Sequence, residues 1–273
     1  MSSLTLRDHL WLWGMKVNVL QELKAYPFWE ETSTLTPQQA IERTGIRNVL
    51  IAGHLPLTKE TMIQLPAAKR IIAKWGMHEM VDGSFRVAYD RALSALLQAK
   101  ELAAEDPRIE SFLLDDFSTG TVEGGVTPQH LADLQFENAA RPPQLPLMAT
   151  FYEMSLDDER QLPLLPYFAG FLNPLWHAAN IDEQKGYAAR LGRLTGNKPL
   201  LMCIYVYDFG NRRKLSYAGM RRQLEVCEEM IRERSVYGVV ILGTCMLDLD
   251  WESNRALYDW LDERGDLHTE VNG

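Results

Sequence analysis

Residues 199–244 read PLLMCIYVYDFGNRRKLSYAGMRRQLEVCEEMIRERSVYGVVILGT, and three unlike stretches follow one another within them. The first, 199–207, is an unbroken apolar and aromatic run. It lacks the alternation of a strand that keeps one face in water, so the strand it predicts is covered on both faces. In AGMRRQLEVCEEMIRER (218–234), Met220, Leu224, Cys227 and Ile231 fall at spacings of four, three and four with charges on the remaining face. That period predicts an amphipathic helix. YGVVILGT (237–244) is a second continuous apolar run. Two such strands joined by a helix form a parallel unit, because a parallel partner is reached only through a crossover connection.

Working outward, the same alternation recurs along the chain. Further strands are predicted at LWLWGM (10–15), NVLIAG (48–53), RIIAKW (70–75), IESFLLD (109–115), PLMATFY (146–152) and YFAGFL (167–172), which makes eight in all. A second helix is predicted over AYDRALSALLQAKELAAE, with Tyr89, Leu93, Leu96 and Leu97 on its apolar face. Thr36-Pro37 and Thr127-Pro128 pair an N-cap with proline at the first helical position. Gly45 and Gly196 stand where a helix C-terminus needs positive φ. Eight strands covered on both faces and alternating with helices match a (β/α)8 TIM barrel of about 250 residues. An open doubly wound sheet is the competitor, but the first strand-to-helix junction, WGMKVNVLQ, lacks a GxGxxG phosphate loop. No linker or shift in composition divides the chain, so a single α/β domain over residues 1–273 is expected.

The hydrophobic fraction of 46% supplies a large core, and the formal charge of −9 argues against a phosphate-binding surface. No nucleic-acid partner is expected, and the oligomeric state is left open. Three cysteines, Cys203, Cys227 and Cys245, are too few and scattered for a disulfide framework. They read as buried thiols. No run of about 18 apolar residues is present to span a bilayer, and the N-terminus makes a poor signal peptide. A soluble, cytoplasmic chain without a membrane partner is expected, although trimming of an export signal would leave the same pattern.

A barrel of this kind gathers its chemistry at the C-terminal ends of its strands. Those ends offer Trp13, Gly14, Lys16 and Asn18; Gly53 and His54; Trp75, Gly76 and His78; Asp115 and Asp116; Tyr152 and Glu153; Asn173, Trp176 and His177; Tyr205, Tyr207 and Asp208; and Thr244, Cys245 and Asp248. Aromatic faces stack on the C–H faces of sugars, while Asp, Glu, His and Asn bond hydroxyls. The set suits a carbohydrate. Asp115-Asp116 is the sharpest feature, since two adjacent acids at a buried strand end repel and dehydrate poorly. Two close acids can divide the work of glycosidic cleavage, one protonated and one ionised. Neighbouring residues on a strand point to opposite faces, so both can serve only if the strand is already turning into its loop.

The segment FLLDDFS resembles the fourth strand of glycoside hydrolase barrels with an adjacent Asp-Asp pair, notably the O-GlcNAc hydrolases of glycoside hydrolase family 84. The resemblance implies substrate assistance: Asp115 would orient and polarise an acetamido nitrogen, and Asp116 would be the general acid/base. The family's later asparagine-rich motif is replaced here by FLNPLWH and YVYDFGN. The whole chain is similar to a family of glycoside hydrolase-like TIM barrels with a DDF motif on strand four. Trp13, Gly14 and Asn18, then Asp115, Asp116 and Phe117, then Tyr207, Asp208, Phe209 and Gly210 carry that similarity.

The expected site therefore has Asp115 and Asp116 as catalytic pair, with Trp13, Asn18, His54, Glu153, Trp176, His177, Tyr205 and Asp208 around the substrate. No metal and no cofactor is expected in this reading. Several residues have a plainer reading as well. Asp208 precedes Arg212 and Arg213 and suits a salt bridge as well as a substrate contact; Glu153 could be solvated beside Asp157 and Asp158; Trp13 and Trp176 could be packing. A divalent-metal sugar isomerase or epimerase using His54, Glu153, His177 and Asp208 is the competing enzyme. A carbohydrate-binding barrel without turnover is the other alternative.

Overall fold

The structure is a computed structural model, and it describes residues 4–14, 34–51, 57–76, 78–81, 84–87, 89–117 and 126–269. Eight parallel strands close into a barrel: β1 (Leu10–Gly14), β2 (Asn48–Ile51), β3 (Arg70–Gly76), β4 (Ile109–Asp115), β5 (Leu147–Thr150), β6 (Gly170–Pro174), β7 (Leu200–Tyr205) and β8 (Gly238–Leu242). Each strand pairs with its neighbours in sequence, and β8 returns to β1 through Leu10↔Val239 to Trp13↔Leu242. The expected eight-stranded α/β barrel is the observed fold.

Helices follow the strands in turn: α1 (Pro37–Thr44), α2 (Lys59–Ile63), α3 (Tyr89–Glu105), α4 (Pro128–Ala140), α5 (Gln184–Thr195), α6 (Tyr217–Arg232) and α7 (Glu252–Arg264). After β5 the place of a helix is taken by a 3-10 segment, Glu159–Tyr167, in which Pro163 and Pro166 remove the donors an α-helix needs. The predicted caps are present. Thr36 and Thr127 each close a capping box ahead of proline, and Gly45 and Gly196 adopt φ of 69° and 71° at the ends of α1 and α5.

Two details differ from the sequence reading. The sixth strand runs over Gly170–Pro174 instead of 167–172, because the proline-bearing 3-10 segment extends to Tyr167 and the strand continues through Asn173. On α3 the buried apolar residues are Ala92, Leu96, Ala99, Leu102 and Ala103, with Leu93 and Leu97 only part-buried and the Tyr89 side chain outside the described part of the structure. Alanines let that helix lie close to the strands, and a count of large apolar residues misses them. On α6, by contrast, Met220, Leu224, Cys227 and Ile231 are all buried as expected.

Candidate active site at the ends of strands four and five

The anomaly of two adjacent acids at the end of a buried strand is resolved by the backbone. Asp115 is the last residue of β4, and Asp116 turns into the left-handed region at φ 52°. For a residue with a side chain that conformation is costly, and Asp is among the few that tolerate it. The strand is thus ending at the pair. Phe117 then buries itself against Phe168, edge to face at 4.7 Å, and anchors the turn from below.

Two donors from the next strand fix both acids. Thr150 Oγ1 donates to Asp115 Oδ1 at 2.8 Å, and the Tyr152 hydroxyl donates to Asp116 Oδ1 at 2.6 Å. The backbone stays extended past Thr150: Phe151 N still bonds Leu172 O at 2.8 Å, and Tyr152 has φ −79° and ψ 152°. Residues two apart on extended chain share a face. Thr150 and Tyr152 therefore point the same way, and the carboxylates they hold lie side by side on that face. On the other flank, Lys74 of β3 brings Nζ within 2.5 Å of Asp115 Oδ2 and 4.4 Å of the Trp13 ring centroid.

Burial, then the charges of Asp116, the neighbouring Tyr205 and Asp115, push the Tyr152 phenol well above the ordinary tyrosine range. It stays protonated, as a donor to Asp116 must. Tyr205 is raised in the same way, by burial first and then by Cys203, Asp116, Asp115 and Glu153. Glu153 itself is raised by burial, against the opposing effects of its own backbone N–H and of His177. Its Oε2 is buried without a hydrogen-bond partner among the described residues.

An aromatic wall adjoins the acids. Trp176 meets Tyr152 edge-on at 6.3 Å and stacks on Phe209 at 6.2 Å with planes 29° apart. Phe209 in turn contacts Tyr205 at 5.1 Å. Trp176, His177 and Phe209 are all partly exposed, so their surfaces remain available to a ligand. The segment YDFGN holds this wall in place. Gly210 N donates to Trp176 O at 3.0 Å, and the ring of His177 lies where a Cβ on residue 210 would be, 2.2 Å from its Nδ1.

Asp208 serves that loop. It is buried, and its carboxylate accepts from Asn211 N at 3.2 Å, Asn211 Nδ2 at 2.9 Å and Arg213 Nε at 3.2 Å. Burial opposes ionisation there, yet these bonds and one from Ala178 N hold the carboxyl below its usual range. Of its two sequence readings, the salt bridge is the one this geometry supports. Tyr207-Asp208 also pairs with Arg213-Lys214 in a short hairpin beyond the end of β7.

Trp13, Glu153, Trp176, His177 and Tyr205 thus gather with the Asp pair at the C-terminal end of the barrel, whereas Asn18 and His54 lie outside the described residues. Sequence reasoning passed over Lys74 and Thr150, and noted Tyr152 only as a strand end. A lysine inside RIIAKW was the available signal, because a charge within a strand covered on both faces demands a partner. Of the four ligands of the metal alternative, His54 lies outside the described residues; among the described residues no group of three or more His, Cys, Asp and Glu is placed to hold a metal ion. Cys203, Cys227 and Cys245 are buried thiols outside any disulfide among the described residues, and burial pushes the Cys227 and Cys245 thiols up to about 12. Among the described residues no helix is long and apolar enough to cross a membrane.

Fold and site together define a (β/α)8 barrel with a carboxylate pair and an aromatic wall at its C-terminal mouth. The sequence matches no protein-family model and no curated protein. Its fold is that of solved glycoside hydrolase barrels. A β-glucuronidase of Bacteroides uniformis aligns over 88% of this chain at 9% identity and a TM-score of 0.58. The spore cortex-lytic enzyme SleL of Bacillus megaterium aligns over 99% of this chain and 77% of its own, at 9% identity and a TM-score of 0.57. The GH99 endo-α-mannosidase of Bacteroides thetaiotaomicron aligns over 82% and 76%, at 11% identity and a TM-score of 0.51. The chain spans only 30% of the length of the first of these. At such identities the likeness is one of fold.

Proposed function

We propose that this chain is a glycoside hydrolase-like enzyme acting on a carbohydrate through Asp115 and Asp116. The observation that carries the reading is the pair of donors, Thr150 and Tyr152, that turn two adjacent carboxyls to one side of a strand end. The partly exposed stack of Trp176 on Phe209 supports it, since such a surface suits a sugar ring. So does the recurrence of glycosidases among proteins of this fold.

In the reaction, the Asp116 carboxylic acid gives its proton to the glycosidic oxygen as the bond from that oxygen to the anomeric carbon breaks. The anomeric carbon gains positive character, which a nucleophile must relieve. With a 2-acetamido sugar, the substrate's own acetamido oxygen forms the new bond, and Asp115 accepts a hydrogen bond from the acetamido N–H. Water then attacks the anomeric carbon as the bond from the acetamido oxygen to that carbon breaks and the acetamido group is restored, and the water yields its proton to the Asp116 carboxylate, which regenerates the acid. Cytoplasmic location and action of one domain over the whole chain belong to the same proposal.

A panel of chromogenic glycosides that includes N-acetylhexosaminides, assayed with the parent, Asp115→Asn and Asp116→Asn, tests it. Turnover by the parent is expected on at least one member, and Asp116→Asn should lower it about 100-fold or more, most where the leaving group is poor. A parent inactive on every member sinks the enzyme reading. If sugar binding persists and is unchanged by Asp116→Asn, the Trp176–Phe209 surface belongs to a carbohydrate-binding barrel without turnover.

A further inference from the structure

At the N-terminal end of the barrel a groove of about 800 Å³ runs between the last turns of α5 and α6 and the starts of β7 and β8. Its floor is apolar: Ala188, Leu200, Ile231 and Val236 are all buried. Its rim is basic. His9, Lys198, Arg232 and Arg234 line it and no acid does among the described residues, in a chain whose formal charge is −9. The local charge thus has the opposite sign to that of the whole.

Three of the four basic groups are already engaged. Lys198 Nζ donates to Leu165 O and Pro166 O, each at 3.2 Å, and Arg232 donates to Glu228 and to His268 O, each at 2.9 Å. His9 gives Nδ1–H to Tyr237 O at 3.1 Å. The Arg234 guanidinium has no hydrogen bond or ion pair among the described residues. Its backbone is costly as well. Arg234 adopts φ 57° just past α6, where Ser235 N bonds Met230 O at 3.0 Å in the Schellman pattern that favours glycine. Asn197, just past α5 and on the same groove, adopts φ 58°, and its side-chain amide also has no partner among the described residues. Two of the four non-glycine residues with positive φ in the described chain therefore line one groove. Backbone held out of its preferred region gathers where side chains are put to use.

A guanidinium offers a planar fork of donors that matches a carboxylate, phosphate or sulfonate, and an apolar floor beside it takes up hydrocarbon. The volume is that of a small-molecule site. We propose that this groove binds a small organic anion, an acidic head on an apolar body, with Arg234 on the head, the Asn197 amide as a neutral donor and Leu200 and Val236 beneath the body. The groove lies at the end of the barrel opposite Asp115 and Asp116 and does not rest on the activity proposed for them.

The test titrates the folded, full chain with two fluorescent probes: 8-anilinonaphthalene-1-sulfonate, which carries an acidic head, and neutral N-phenyl-1-naphthylamine, which lacks one. The parent is expected to bind the sulfonate at one saturable site, at least about 5-fold more tightly than the neutral probe. Arg234→Gly relaxes the backbone, so it should raise the denaturant midpoint while weakening the sulfonate about 10-fold and leaving the neutral probe unchanged. Should Arg234→Gly fail to fold, Arg234→Asn, which the left-handed region also tolerates, is held to the same binding result. Ala189 is an exposed residue of α5 that lines the groove, so Ala189→Trp fills the space, keeps every charge and should weaken both probes. A parent with no saturable sulfonate binding, or with equal affinity for the two probes, overturns the proposal. So does sulfonate binding that either folded variant leaves at the parental value, since the anion would then sit elsewhere.

Discussion

Asp116 shows at the scale of one residue how a site can be held against local preference. Its left-handed backbone, φ 52°, would be relaxed by glycine, while alanine would keep the strain and lose the hydrogen bond from Tyr152. Asp116→Gly is therefore expected to be more stable than Asp116→Ala by about 1 kcal/mol, read from denaturant midpoints. Equal stabilities would mean that the turn is not strained. Glu153 gives a second residue-scale expectation, one that depends on pH. Burial raises its carboxyl in the folded chain, so the folded state binds the proton more tightly than the unfolded one. Stability then falls as pH rises from about 4, the ordinary glutamate value, through the raised value, and the loss is complete above it. Glu153→Gln should remove that decline, gaining stability over the parent at neutral pH and not in acid. A constant difference across pH would assign the effect to packing. The Asp pair was legible in sequence because it broke a rule, two charges where a buried strand ends. Lys74 broke the same rule less visibly, since one charge within RIIAKW also reads as a long side chain reaching for solvent. Its partner lies on another strand, and only the closed barrel brings the two together.

Among the elements, those with local causes were the most legible. Caps at Thr36, Thr127, Gly45 and Gly196 follow from backbone chemistry within a few residues, and each is where the sequence placed it. The sixth strand and the face of α3 depended on what packs against them, and there the local pattern was offset. The loop after β7 is an element whose sequence could be read two ways. YDFGN resembled a site motif, yet Asp208 and Gly210 build the seat for Trp176 and His177. A methyl group at residue 210 would have to displace the His177 ring, with Nδ1 only 2.2 Å from the new Cβ. Gly210→Ala is expected to cost about 1–3 kcal/mol through overpacking and to weaken any sugar binding at Trp176. If the ring is the obstacle, His177→Ala should absorb much of that cost, so the two substitutions together should be less damaging than their sum. Additive losses in a double-mutant cycle would place the clash elsewhere.

In the proposed function, the whole molecule divides stability from chemistry between the two ends of the barrel. At the N-terminal end, the chain's first and last described segments pair: Leu6 N bonds Leu267 O at 2.9 Å and Thr269 N bonds Leu4 O at 3.0 Å. Arg7 stitches them to the helices. Its guanidinium donates to Thr44 O at the end of α1, to Leu261 O of α7 at 2.8 Å and to Asp266 at 2.8 Å, with only 18% of the side chain exposed. Carbonyls at helix ends have no partner within the helix, so a cation supplied from another part of the chain meets a standing need. Removing it takes the guanidinium donor from Thr44 O, while Leu261 O keeps its bond from Gly265 N at 3.0 Å and Asp266 stays largely in solvent. Arg7→Met is expected to lower stability by about 1–3 kcal/mol, measured by denaturant unfolding. The same variant, once folded, should keep the parent's turnover on the glycoside panel, because the barrel separates the two ends. Site substitutions should show the converse, lowering turnover with little loss of stability. A loss of turnover in a folded Arg7→Met would show the two ends to be coupled through the staves, and the division between scaffold and site would fail.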